Sequence, residues 1–224
     1  VSAFDGFPPD AWRFLDVLAE DNTAGCFDRH REMHQSAIAV PSHALVEALV
    51  PRLASEVHPA LTGEAKVGRS LFRINRDIRF AADKTPYKTY VDFLFWAGDG
   101  DPRSSAACII RLTSTTVLTG AGRIGVRGTD LAAYRAHVTD PDLGPQLRVV
   151  VDRVIASGAT ISDAVRAKPP RPHAADAMNA DLLCRDGFHL SRVEPHPPVI
   201  AGPALVDWLV DRLRPYGELI ELLR

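Results

Sequence analysis

Between Arg73 and Tyr90 the chain reads RINRDIRFAADKTPYKTY, and its eighteen residues hold five cations, two aspartates and two tyrosines. From Arg73 to Lys88 the local charge is +3, so the rest of this chain, whose net charge is -2, sums to -5. Arginines and lysines held in a fixed array by a carboxylate are suited to receive a phosphate or a carboxylate, because a guanidinium offers planar paired donors to such oxygens. The candidate ligand-binding residues are therefore Arg73, Arg79, Lys84 and Lys88, with Asp77 orienting the arginines. Asp83 and Tyr87 are the candidate catalytic groups for proton transfer. The same residues also fit a structural role in which ion pairs pin a hairpin to its surroundings. Both readings stand at this level.

Alternation defines the expected supports. In LFRINRDIRF, Phe72, Ile74, Ile78 and Phe80 are apolar while Arg73, Asn75, Asp77 and Arg79 are polar, which predicts a strand presenting Arg73, Asp77 and Arg79 on one side. Arg76 falls on the other side, in apolar company, and is expected to be structural. The runs TYVDFLFWA, SSAACIIRL and TTVLTG predict three further strands. Ala11, Phe14, Leu15 and Leu18 predict a helix after Pro8 and Pro9, with further helices over Ala24 to Ala39 and from about Ser42. Helical spacing returns in TDLAAYRAHV, GPQLRVVVDRVIAS, GPALVDWLVDRL and PYGELIELL. The expected fold is α+β, a single domain over residues 1–224, with a central antiparallel sheet of about four strands flanked by N-terminal and C-terminal helices.

Other patterns suggest chemistry and lose it on inspection. HREMH places His30 and His34 four residues apart, but Arg31 occupies the place where a zincin needs glutamate, and Glu32 lies about 200° around the helix from His30. No metal site is expected. GAGRIG (Gly120–Gly125) matches the glycine pattern of dinucleotide folds without the helix that should open inside it; a loop presenting amides to an anion remains the alternative. PRPHAAD holds Arg171 and His173 beside two prolines, so both join the candidate ligand-binding set as a pocket wall. No cofactor pattern is legible.

A pI near 6.5 and a net charge of -2 exclude a global field for nucleic acid or a membrane surface. The expected partners are a small anionic molecule or an acidic protein surface. Cys26, Cys108 and Cys184 have no metal-ligand spacing and cannot all pair, so reduced core thiols are expected. With neither a signal-peptide pattern in VSAFDGFPPD nor an apolar run of membrane-spanning length, the expected location is the cytoplasm.

The pattern RxxRDxRFxxxDKxxYK is filled by Arg73, Arg76, Asp77, Arg79, Phe80, Asp83, Lys84, Tyr87 and Lys88, and it resembles the signature of a bacterial family known as domain of unknown function 2461. FDGF at Phe4 to Phe7, Phe14, Leu15, Asn22 and Phe27 resemble that family's N-terminal region, although Cys26 stands where it has tryptophan and Asp21 where it often has asparagine. The glycine-rich segment with Arg135, PPRPH and LLCRDGF are similar to further family segments. The resemblance implies one domain of about this length and no established activity.

Overall fold

The computed structural model describes residues 3–171 and 178–224. Pro9–Glu20 forms α1, where prolines pre-set the first turn and Ala11, Phe14, Leu15 and Leu18 are buried on one face. Ala24–Arg29 (α2) is capped by the Thr23 side chain, which accepts from Cys26 N–H. Arg31–Met33 (α3) continues through a π-helix, His34–Ala39, into the long α4, Val40–Glu56. The helical stretch Arg31–Glu56 has an 18-residue window of mean hydropathy 1.2, enough by length and composition to cross a membrane. Here its apolar residues Leu45, Leu49 and Leu53 are fully buried in the core.

The sheet has six strands, not about four: β1 (Leu61–Thr62), β2 (Val91–Ala97), β3 (Ala107–Leu112), β4 (Thr116–Ile124), β5 (Thr160–Ile161) and β6 (Gly187–Pro195). All pairings are antiparallel, in the order β1-β2-β3-β4-β6-β5. The helices α5 (Gly128–Thr139), α6 (Leu143–Ala156) and α7 (Ala180–Leu183) lie between β4 and β6 in sequence. α8 (Leu205–Leu213) and α9 (Gly217–Leu223) close the chain. Phe93, Phe95, Cys108, Ile110, Val117, Ala121, Phe188 and Leu190 are among the sheet residues in the main core, together with residues of α1, α4, α6, α8 and α9. Alternate residues Leu94, Trp96 and Ala107 make a second, smaller cluster, against which Phe72 and Ile109 pack.

GAGRIG is neither a turn nor a phosphate loop. Its first five residues complete β4, and an added Cβ would stand 2.4 Å from Leu190 O at Gly120 and 2.1 Å from Phe188 O at Gly122. These glycines let β4 and β6 approach closely. The helix that follows starts at Gly128 with no side-chain cap.

LFRINRDIRF is likewise not a sheet strand. Leu71 bridges Phe93 and Leu94 N–H donates to Ser70 O at 3.0 Å, after which the chain leaves the sheet. It then pairs with its own returning arm: Asn75 bridges Tyr87, Arg76 N–H donates to Pro86 O, and Lys88 N–H donates to Ile74 O, both at 2.8 Å. Phe72 and Ile74 pack inward as alternation requires, but Phe80 is 95% exposed, so the apolar period fails once the sheet is left.

Candidate functional site

The motif is a short hairpin, with arms 74–76 and 86–88 and a loop between them. Asn22 docks it on the N-terminal helices: its side-chain amide donates to Tyr87 O at 3.1 Å and accepts from Tyr87 N–H at 2.9 Å, much as a strand neighbour would. The Tyr87 ring stacks on Phe27 with centroids 4.7 Å apart and planes 12° apart. Its ring is thus committed to packing.

Within the loop most charges satisfy one another. Asp83 accepts from Thr85 N–H and Oγ1, both at 2.9 Å, and from Arg76 at 2.5 Å; Arg76 also donates to Thr85 O at 3.1 Å. Arg76 is therefore a polar clasp and not a residue in apolar company. The Thr85 amide, followed by Arg76, holds the Asp83 carboxyl down to about 2, which leaves it ionised and a poor proton donor at neutral pH. Asp77 takes Arg79 by Nε at 2.9 Å and Nη2 at 2.6 Å, and that side-chain pairing first, then the Arg79 amide, lowers Asp77 to about 2. Asp77 orients Arg79. Lys84 Nζ donates to Ile78 O at 2.9 Å, closing the loop.

Two adjoining cavities open beside the hairpin and share a wall made by Phe72, Arg73, Asn75, Lys88 and Tyr90. The inner one, about 420 Å³, lies between that wall and the π-helix with the start of α4, where His34, Ile38, Ser42 and His43 line it. The outer one, about 810 Å³, is edged by Arg69, Arg73, Arg76, Arg79, Lys88 and Arg103 against, among the described residues, a single carboxylate, Asp77. Arg69 pairs with Glu64, Arg76 with Asp83 and Arg79 with Asp77. Arg73 makes no ion pair or side-chain hydrogen bond among the described residues, although it stands on both cavities.

Below the shared wall lies a network that joins the hairpin to the sheet. Asp92 and Arg111 are cross-strand partners on β2 and β3; Arg111 donates to Asp92 by Nε at 2.6 Å and Nη2 at 3.2 Å. Lys88 Nζ lies 3.5 Å from the same carboxylate, 4.9 Å from the Phe72 ring centroid and 5.6 Å from that of Tyr90. Arg111 covers the Tyr90 ring at 3.8 Å. Lys88 is thereby held on the wall of both cavities.

Of the sequence candidates, the structure brings Arg73, Asp77, Arg79 and Lys88 to the cavities and leaves Asp83, Lys84 and Tyr87 in the body of the hairpin. Arg171 is exposed and lines neither cavity, and His173 lies outside the described residues. His30 and His34 serve separate ends: His30 Nδ1 bonds Cys26 O at 2.9 Å, while His34 packs at 5.3 Å from both Phe14 and Phe27. Burial, aided by the nearby Arg31 charge, lowers the His34 pKa below the usual imidazole value. No cluster of three metal-ligating side chains occurs among the described residues. Sequence reasoning overlooked Asp92, Arg111 and Ser42; a charged residue at matching positions of two apolar runs, VDFLFWA and ACIIRL, was the available signal for the first two.

The fold class is thus α+β, a six-stranded antiparallel sheet carrying a cation-rich hairpin at its edge. The chain belongs to the family of conserved hypothetical proteins DUF2461, whose model matches residues 10–221. A search of curated proteins gives no match.

Proposed function

We propose that the protein binds a small phosphate- or carboxylate-bearing molecule where the two cavities meet. Arg73 and Lys88 are its main partners and Arg79 stands at the rim. The observation that carries this reading is Arg73: a cation on the wall of two cavities, without a carboxylate of its own among the described residues, beside a lysine already fixed in place. Binding is favoured over catalysis, because Asp83 and Tyr87 are engaged within the hairpin. Buried free thiols at Cys26, Cys108 and Cys184 support a cytoplasmic setting.

Thermal-shift titration with inorganic phosphate and simple carboxylates tests it. Arg73→Ala should remove the ligand-induced shift while the protein stays folded, and Arg79→Ala, whose guanidinium is already paired, should weaken it less. An unchanged shift in Arg73→Ala would defeat the proposal. A second reading, a docking module for an acidic protein surface, draws on Phe80, which stands exposed beside Arg79 at the hairpin tip with its centroid 5.9 Å from the guanidinium. On that reading Phe80→Ser abolishes partner capture and leaves anion binding untouched.

A further inference from the structure

The inner cavity has a chemistry that a bare inorganic ion would not use. Its volume, about 420 Å³, falls in the range of small-molecule sites, and Phe27, Ile38, Leu71, Ile74 and Val91 give it apolar walls. Arg73 and Lys88 stand on its hairpin side, Arg31 stands on the helical side, and its one acidic lining residue among the described residues, Asp92, already faces Lys88. The helical side carries Ser42, which is only 3% exposed and whose hydroxyl has no hydrogen-bond partner among the described residues.

That hydroxyl is anomalous for a helix. A buried helical serine ordinarily donates to the carbonyl four residues back, here that of Ile38. Ile38 belongs to the π-helix His34–Ala39, whose ladder is stretched by one residue, as in the bond from Val40 N–H to Gln35 O. Ser42 follows this wide turn and makes no such bond. A buried polar group left unpaired is unfavourable, and a ligand hydroxyl or a water entering the cavity supplies the partner. π-turns interrupting α-helices occur often at functional sites.

We infer that the inner cavity accepts an amphiphilic organic acid, with its anionic group at Arg73 and Lys88, an aromatic or branched body against the apolar walls, and a hydroxyl on that body paired with Ser42. This rests on the anion-binding reading and names its ligand class. Ser42 is then the residue that selects among acids of similar size, since a site that hydrogen-bonds a ligand hydroxyl discriminates against the analogue lacking it.

Isothermal titration of the full chain with phenylacetate, its 2-, 3- and 4-hydroxy derivatives and inorganic phosphate separates the parts. At least one hydroxy isomer should bind about tenfold more tightly than phenylacetate, the worth of one well-placed hydrogen bond. Ser42→Ala should erase that ratio while retaining phenylacetate binding. Arg73→Ala should weaken all the acids together and leave the ratio intact. Ala39→Phe, which adds bulk to the inner cavity and removes none of its charged groups, should abolish binding of the aromatic acids and spare phosphate. If the hydroxy preference is absent, or persists in Ser42→Ala, the assignment of Ser42 fails. If phosphate binds through Arg73 and no aromatic acid binds better, the amphiphile is wrong and the anion site stands. If neither the acids nor phosphate bind, both fall.

Discussion

Replacing Asp92 by asparagine removes one negative charge from between two cations and almost nothing else. The carboxylate is 15% exposed and Lys88 is 16% exposed, while Arg111 keeps 42% of its side chain in solvent. Breaking a fully buried pair costs about 3–5 kcal/mol, because the remaining charge is left without compensation. Solvent around Arg111 screens part of this, so about 2–4 kcal/mol is the working figure. For a chain of this length that corresponds to roughly 6–12 °C in Tm. Urea and thermal unfolding of Asp92→Asn, Lys88→Met and the double variant give the coupling. The double variant should lose less than the sum of the singles by about 1 kcal/mol or more. The change should also act on function: with its internal competitor gone, Lys88 should bind inorganic phosphate more tightly together with Arg73, so phosphate should raise the Tm of Asp92→Asn by more than that of the parent. A loss below about 0.5 kcal/mol would show that the network is solvated and idle. An unchanged phosphate response would refute the view that Asp92 competes with a ligand.

Three further outcomes follow from individual groups. Gly122→Ala should destabilise by more than about 2 kcal/mol in urea unfolding, because its Cβ meets Phe188 O, whereas Gly125→Ala, with φ of 68° and open space around it, should cost only about 1 kcal/mol. Asp83, held at about 2 against an ordinary 3.8, stabilises the hairpin at pH values above 3.8, and that contribution disappears as pH falls through 2; the protection of the Thr85 amide, taken relative to its intrinsic exchange rate at each pH, should fall over this interval before global unfolding. Burial pushes the Cys108 thiol up to about 12, so it should resist a thiol reagent in the native protein, and all three cysteines should react only in denaturant.

The helical half of the molecule was legible because apolar spacing at i, i+3, i+4 survives burial on one face, as in α1 and α8. Strands β2, β3 and β4 were legible as apolar runs. β6 was not, although Phe188 and Leu190 alternate with His189 and Ser191, because Arg192 and Glu194 dilute the run and the strand reaches its partner only after three helices. β1 and β5, at two residues each, carry no period to read. At the site, composition located the cations and not their allegiance. Whether Arg79 or Arg73 would take Asp77 depended on the chain leaving the sheet after Leu71, and alternation continued through a stretch that has no sheet to alternate against. Ser42 gave no signal, since an unpaired hydroxyl is a property of surroundings.

The π-helix amounts to one residue more than an α-helix would need between α1's neighbours and the core face of α4. Ser36 is exposed within it, so a chain lacking Ser36 could close the turn into ordinary α geometry. Everything on one side of the deletion would then rotate by about 100° against the other. Leu45, Leu49 and Leu53 are anchored in the core, so the part that turns is His34 and Gln35, and with them the cavity wall. A single-codon deletion would thus separate two properties that point substitutions tend to alter together: the helix would gain regularity, and the cavity would lose its shape.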